Sequence, residues 1–140
     1  MRLFLDTSVL LAASGSERGA SREIFRLAPD NGWVFLATPY VVEELLTNLP
    51  RLPAMATADW ARLRPKLTIM DDVLTLDRAA VFEPAKDRPI LFSALAWAEV
   101  LLTLDRGDFG ALLGDTFYGL AILTPGAFLQ RERAASRLRE

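Results

Sequence analysis

Along this chain, short and nearly continuous apolar runs alternate with stretches of helical spacing. Residues 3–5 form one such run, stopped by Asp6-Thr7-Ser8, and a second run over residues 9–13 follows at once. Together they predict a buried strand, an acidic turn and the first turns of a helix. Residues 14–19 read as a loop. Residues 21–27 read as a short helix facing inward through Ile24, Phe25 and Leu27, closed by the turn Pro29-Asp30-Asn31-Gly32. A second buried strand is expected over residues 33–37. Thr38-Pro39 then supplies an N-cap and a first helical position, for a helix that runs to about Leu49, where Pro50 and Pro53 end it. Residues 57–63 predict a further helix containing Trp60 and stopped by Pro65.

The pattern over residues 67–84 fits no single period, and a short strand is expected somewhere in residues 73–81. Residues 87–98 carry Ile90, Leu91, Ala94, Leu95 and Ala98 at amphipathic helical spacing. An apolar strand over 100–104 then ends at Asp105. Another strand is expected at 120–123, and Pro125 opens a final helix whose charged end, residues 130–140, reads as a tail that frays or meets a partner. Repeated strand–helix alternation with near-continuous apolar strands implies an α/β fold. Its form is a three-layer α/β/α sandwich around a central parallel sheet of four or five strands. Functional sites in such sheets form beyond the carboxyl ends of the strands.

Composition narrows the chemistry. The 140 residues suit one domain spanning 1–140, with a mobile tail about 131–140. With 51% hydrophobic and 24% charged residues the chain should pack a core. Arg, Asp and Glu interrupt every apolar stretch well short of the roughly 18–20 residues that cross a bilayer, so no membrane span is expected. Asp6 falls where a signal peptide would be apolar, and the expected compartment is cytoplasmic. Cys and His are both absent, which removes thiol nucleophiles, cysteine-type zinc sites and the commonest general base. The net charge of −2 argues against a broad, non-specific nucleic-acid footprint. A nucleic-acid role then requires acids gathered in one pocket with arginines around it.

The acids are placed in that way. Asp6 follows the first strand and Asp105 a later one, so both emerge at one sheet edge. Glu44 lies six residues after Thr38, on the second turn of a helix that leaves a strand's carboxyl end. Asp87 opens the helix leading into the Asp105 strand. Four converging carboxylates repel one another unless a cation neutralises them, and oxygen-only ligation suits Mg²⁺ or Mn²⁺. A metal so held can acidify a bound water and offset charge on a phosphoryl oxygen, giving phosphodiester hydrolysis without His.

These motifs resemble the PIN-domain family, specifically the toxin nucleases of VapC-type toxin–antitoxin systems and their relatives, over almost the whole chain. Leu3-Phe4-Leu5-Asp6-Thr7-Ser8-Val9-Leu10 resembles the first family motif, whose Asp is a metal ligand. Thr38-Pro39-Tyr40-Val41-Val42-Glu43-Glu44-Leu45 resembles the second, in which Ser or Thr precedes the ligand Glu by six positions. Asp87-Arg88-Pro89-Ile90-Leu91 resembles the third. Leu102-Thr103-Leu104-Asp105-Arg106-Gly107-Asp108-Phe109 resembles the fourth, departing from it at Leu104, where relatives often carry a small or polar residue. The resemblance implies a PIN-like fold and a metal-dependent endoribonuclease with Asp6, Glu44, Asp87 and Asp105 as catalytic ligands. It also implies an RNA substrate, an antitoxin partner and a homodimer.

Other readings of the same residues stand beside these. Asp6 and Asp87 also suit helix N-caps, and Glu43 competes with Glu44. Asp108 is either a fifth acid at the metal or a turn residue. Thr7, Ser8, Thr38 and Thr103 are candidates to orient the carboxylates, or simply to satisfy backbone. Asp30, Asp59, Asp71, Asp72, Asp77 and Asp115 read as surface charges. The arginines at 18, 22 and 26, and those at 131, 133, 137 and 139, read as solvated surface ahead of RNA contacts. Trp33, Trp60 and Trp97 read as core or dimer interface rather than a stacking platform. A catalytically silent binding or scaffold module of the same fold is the alternative function. Receiver and haloacid-dehalogenase-type phosphotransfer domains want an acid pair or Asp-x-Asp at the first strand, and Asp6-Thr7-Ser8 offers neither.

Overall fold

The structure, a computed structural model, describes residues 1–74 and 88–140. Its elements are β1 (Arg2–Leu5), α1 (Thr7–Gly15), α2 (Ala20–Asn31), β2 (Val34–Ala37), α3 (Pro39–Asn48), α4 (Met55–Leu63), β3 (Leu67–Ile69), α5 (Arg88–Trp97), β4 (Val100–Leu102), β5 (Asp115–Phe117), β6 (Leu120–Leu123) and α6 (Pro125–Ala134). Single 3₁₀ turns at Leu49–Arg51 and Arg64–Lys66 carry the prolines that end α3 and α4.

The strands form one sheet in the order β3-β2-β1-β4-β6-β5. β1 is central and parallel to both neighbours, with Phe4 opposite Leu36 of β2 and Leu101 of β4. Leu3, Phe4 and Leu5 are wholly buried, as are Leu101 and Leu102. Consecutive buried residues on a strand require cover on both sheet faces, and helices flank the sheet as the outer layers of an α/β/α sandwich. The chain winds outward from β1 through β2 to β3, then returns past β1 to β4. The winding direction therefore reverses between β1 and β4, and at such a switch point a crevice opens outside the carboxyl ends of the strands.

The sheet has six strands rather than four or five, and β5 runs antiparallel to β6. The hairpin turns at Tyr118 and Gly119, both at positive φ (49° and 86°), the pair of conformations that a two-residue turn with the right strand twist requires. β3 lies at Leu67–Ile69. The strand expected within residues 73–81 is not formed at 73–74, and the rest of that span lies outside the described residues. α2 does not close at Pro29 but carries it inside and runs to Asn31, where Gly32 adopts the left-handed cap (φ 66°) and its N–H bonds the Ala28 carbonyl.

Two acids read as surface charges have other surroundings. Asp59 of α4 is 5% exposed and takes a 3.0 Å ion pair from Arg22, whose Nε also donates to the Ala13 carbonyl, so α1, α2 and α4 meet at one guanidinium. Arg22 is thus committed to structure and does not belong to a solvated row. Asp72 is half-buried and bonded to α3. Among the C-terminal arginines, Arg137 pairs with Glu132, itself 2% exposed, and Arg133 with Glu140. Arg139 exchanges two backbone hydrogen bonds with the Asn31 amide side chain. Trp60 is in the core and Trp33 packs edge-on against Phe128. No helix among the described residues is long and apolar enough to cross a membrane.

Candidate functional site

Parallel pairing runs one step past the strand ends. The Asp6 N–H bonds the Leu102 carbonyl, the Thr103 N–H the Leu123 carbonyl and the Met70 N–H the Ala37 carbonyl. Asp6 and Thr103 are therefore adjacent at the carboxyl edge, at the switch point. Extending the β1–β2 register by two residues sets Thr38 on the other side of Asp6.

Asp6 is 4% exposed and caps α1 with extended backbone (φ −67°, ψ 156°). Its Oδ1 accepts from the Thr7 N–H at 2.8 Å, and its Oδ2 from Ser8 Oγ and Thr103 Oγ1, both at 2.7 Å. Each hydroxyl that donates to Asp6 also accepts from the exit of β4: Ser8 Oγ from the Leu104 N–H and Thr103 Oγ1 from the Asp105 N–H, both at 3.0 Å. Capping and the joining of two strand ends thus fall to one carboxylate. It fills three of its roughly four acceptor positions, and the free one is on Oδ1. Leu104, whose bulk departs from the family pattern, turns its side chain outward and is 41% exposed.

Burial pushes the Asp6 carboxyl above the usual carboxylate range. The bonds from Thr103, Ser8 and Thr7 pull it back in part, and the negative charge of Glu44 raises it further. Thr103→Val should therefore leave the fold intact, cost about 1–3 kcal/mol in urea unfolding and move the Asp6 carboxyl titration to higher pH in carbon-detected NMR. An unmoved titration would show that the hydroxyl does not act on Asp6.

Glu44 is half-buried on the second turn of α3, while Glu43 beside it is exposed. The pair is separated by α3's position, since it is Glu44 whose charge reaches Asp6. Asp105 is half-buried, and its Oδ1 accepts the Gly107 and Asp108 N–H groups at 3.0 Å, closing a tight turn. That turn needs glycine at 110, where a Cβ would collide with the Arg106 carbonyl oxygen. Asp108 is half-buried at the end of the same turn. Asp87 lies outside the described residues. Among the described residues no three acids stand together closely enough to hold an ion by themselves.

Among the hydroxyls, Ser8 and Thr103 touch Asp6, and Thr7 does so through its N–H. Thr7 Oγ1 and Thr38 Oγ1 are buried with no hydrogen-bond partner among the described residues. Asp72 was not legible as a site neighbour: its Oδ2 accepts the Tyr40 N–H in the first turn of α3 at 3.1 Å, whereas the N-cap residue Thr38 makes no side-chain cap bond. No sequence pattern links an acid after β3 to a helix thirty residues earlier.

The donor set fits a divalent ion. Asp6 keeps one free acceptor position, the charge acting on it among the described residues is of its own sign, and every donor is a hard oxygen. Mg²⁺ in particular keeps several waters and is commonly bound by only one or two carboxylates together with substrate phosphates.

Sheet order, switch-point crevice and flanking helices define a PIN-like fold. A chain of VapBC2 from Rickettsia felis, from a crystal structure of that complex bound to a DNA fragment from its promoter, superposes with a TM-score of 0.61 at 15% identity, covering 87% of this chain and 97% of that one. PAE2754 from Pyrobaculum aerophilum superposes with a TM-score of 0.63 at 14% identity, covering 96% and 90%. At these identities the likeness is one of fold. No family model matches the sequence, and no curated protein matches it.

Proposed function

We propose that the protein is a metal-dependent endoribonuclease, with Asp6 and Glu44 holding Mg²⁺ or Mn²⁺ and with Asp87, Asp105 and Asp108 completing the acidic site. The observation that carries this reading is the buried Asp6 carboxylate, held by three donors at the sheet's switch point and faced, among the described residues, by a second carboxylate rather than a cation. Such a pair is unfavourable in the bare protein and favourable around a divalent ion. When bound, the ion supplies a more acidic water and neutralises charge on a phosphoryl oxygen during in-line hydrolysis. Ser8 and Thr103 keep Asp6 in one orientation, and through the Leu104 and Asp105 N–H groups they fix the exit of β4 against it. The exposed Arg106, next to Asp105 in the chain, puts positive charge beside one of the acids despite the net charge of −2.

The VapBC2 neighbour, a complex by its description, supports a further reading as the toxin of a type II pair, restrained by an antitoxin, homodimeric and cytoplasmic. The purified protein should cleave an RNA oligonucleotide in the presence of Mn²⁺ and stop on addition of EDTA, read on a denaturing gel. Absence of cleavage together with absence of Mn²⁺ binding by calorimetry would leave the silent scaffold module as the function.

A further inference from the structure

We infer that Asp72 is a positioning residue for this site, clamping α3 so that Glu44 is held at its working place against Asp6. The inference rests on the nuclease reading given above and adds to it a residue outside the acidic motifs. Its ground is what three successive residues after β3 do. The Asp71 carbonyl accepts the Trp97 indole N–H at 2.9 Å, Asp72 Oδ2 accepts the Tyr40 N–H at 3.1 Å, and the Val73 N–H donates to Ser93 Oγ at 2.9 Å. Trp97 and Ser93 belong to α5 and Tyr40 to α3. One short segment therefore ties together the helix that carries Glu44 and the helix that follows Asp87.

The clamp answers a local deficit. The first N–H groups of a helix have no partner within it, Pro39 supplies none, and Thr38 leaves its hydroxyl buried and unbonded instead of capping. Asp72 replaces the missing cap from across the sheet edge. Its negative charge also lies at the positive end of the α3 dipole. Glu44 lies four positions after Tyr40, about one turn, so an error at the capped turn passes directly to the carboxylate. The other Asp72 oxygen, Oδ1, is buried with no hydrogen-bond partner among the described residues, which raises the rival role of a direct metal ligand. The test below separates the two.

Asp72→Ala, Asp72→Asn and, as a stability control away from the site, Asp59→Asn are compared with the wild type in three measurements: amide hydrogen exchange across α3, Mn²⁺ affinity by calorimetry and cleavage of an RNA oligonucleotide. Asparagine keeps a side-chain oxygen able to cap but loses the charge. The expected result is that Asp72→Ala speeds exchange of the Tyr40 amide about tenfold or more, weakens Mn²⁺ binding about tenfold, the lower end for lost support around a metal ligand, and slows cleavage. Asp72→Asn should restore all three to within a few-fold of wild type, and Asp59→Asn should leave Tyr40 exchange and Mn²⁺ affinity unchanged. The inference is overturned if Asp72→Ala leaves Tyr40 exchange and Mn²⁺ affinity at wild-type values. It is equally overturned if Asp72→Asn loses Mn²⁺ as fully as Asp72→Ala while keeping the Tyr40 amide protected, since Asp72 is then a ligand. Should the wild type bind no Mn²⁺, the nuclease reading fails, and exchange at Tyr40 through Glu44 alone decides whether Asp72 holds α3.

Discussion

Asp6→Asn is expected to lower metal-dependent RNA cleavage by on the order of 100- to 1,000-fold, the scale seen when one preorganised charge-stabilising group is removed, and to raise the melting temperature of the metal-free protein. The two effects have one cause. Burial first, and then the charge of Glu44, hold the Asp6 pKa above its ordinary value against the pull of three hydrogen bonds. A carboxyl whose folded pKa exceeds its unfolded one takes up protons on folding. Its contribution to stability is fully present below the unfolded pKa and is lost as the pH rises through the raised folded value. Above that raised value the metal-free protein carries an ionised, buried and repelled carboxylate, whereas asparagine carries no charge. Thermal unfolding in EDTA, followed upward in pH from the ordinary carboxylate range, should show the variant gaining in melting temperature on the wild type as the pH passes the raised Asp6 value. A proton and a cation compete for the same oxygen, so Mn²⁺ affinity of the wild type should fall as the pH drops through the same range. A variant that cleaves RNA and melts like the wild type would remove Asp6 from the site.

The second large effect separates two adjacent glutamates. Glu44→Gln should slow cleavage by on the order of 100-fold, while Glu43→Gln, whose side chain is exposed, should stay within a factor of about two, as surface substitutions generally do. The titration of Asp6 offers a reading independent of activity. Removing the Glu44 charge takes away a like-charge neighbour and lowers the Asp6 pKa, whereas removing that of Glu43 leaves it in place. Equal losses from both substitutions would mean that α3 presents neither glutamate selectively.

Those two glutamates also mark where local sequence stops being informative. Neighbours on a helix lie about 100° apart, and which one turns inward depends on the true start of α3. That start is fixed by Thr38, Pro39 and, across the sheet edge, Asp72. By contrast β1, β2, β4 and β6 are legible because strands buried on both faces write themselves as unbroken apolar runs, as Leu3-Phe4-Leu5 does. Asp6 and Asp105 are legible as the acids that stop such runs. β3 and β5 are three residues each and lie at the sheet edges, too short to show a period. Pro29 inside α2 misleads because a proline near the last turn removes one hydrogen bond without halting the helix. Asp59 and Asp72 are missed for a common reason: what makes each of them more than a surface charge is a partner at a distance, Arg22 for one and Tyr40 for the other. The roles of Ser8 and Thr103 are readable as candidates from their places beside Asp6 and Asp105, but not the double use of each hydroxyl as donor and acceptor.

The bond from Thr103 to Asp6 spans 97 positions, which gives synthesis of this chain a built-in delay. A ribosome that has released only the first two-thirds of these residues has delivered Asp6, Glu44 and the strands around them, but not β4, the strand that completes the pocket. Long-range closure of this kind comes late in folding, because the entropy of a large loop must be overcome before its contacts form. The finished pocket is thus withheld from the nascent chain, and a fragment that ends before Thr103 would lack it.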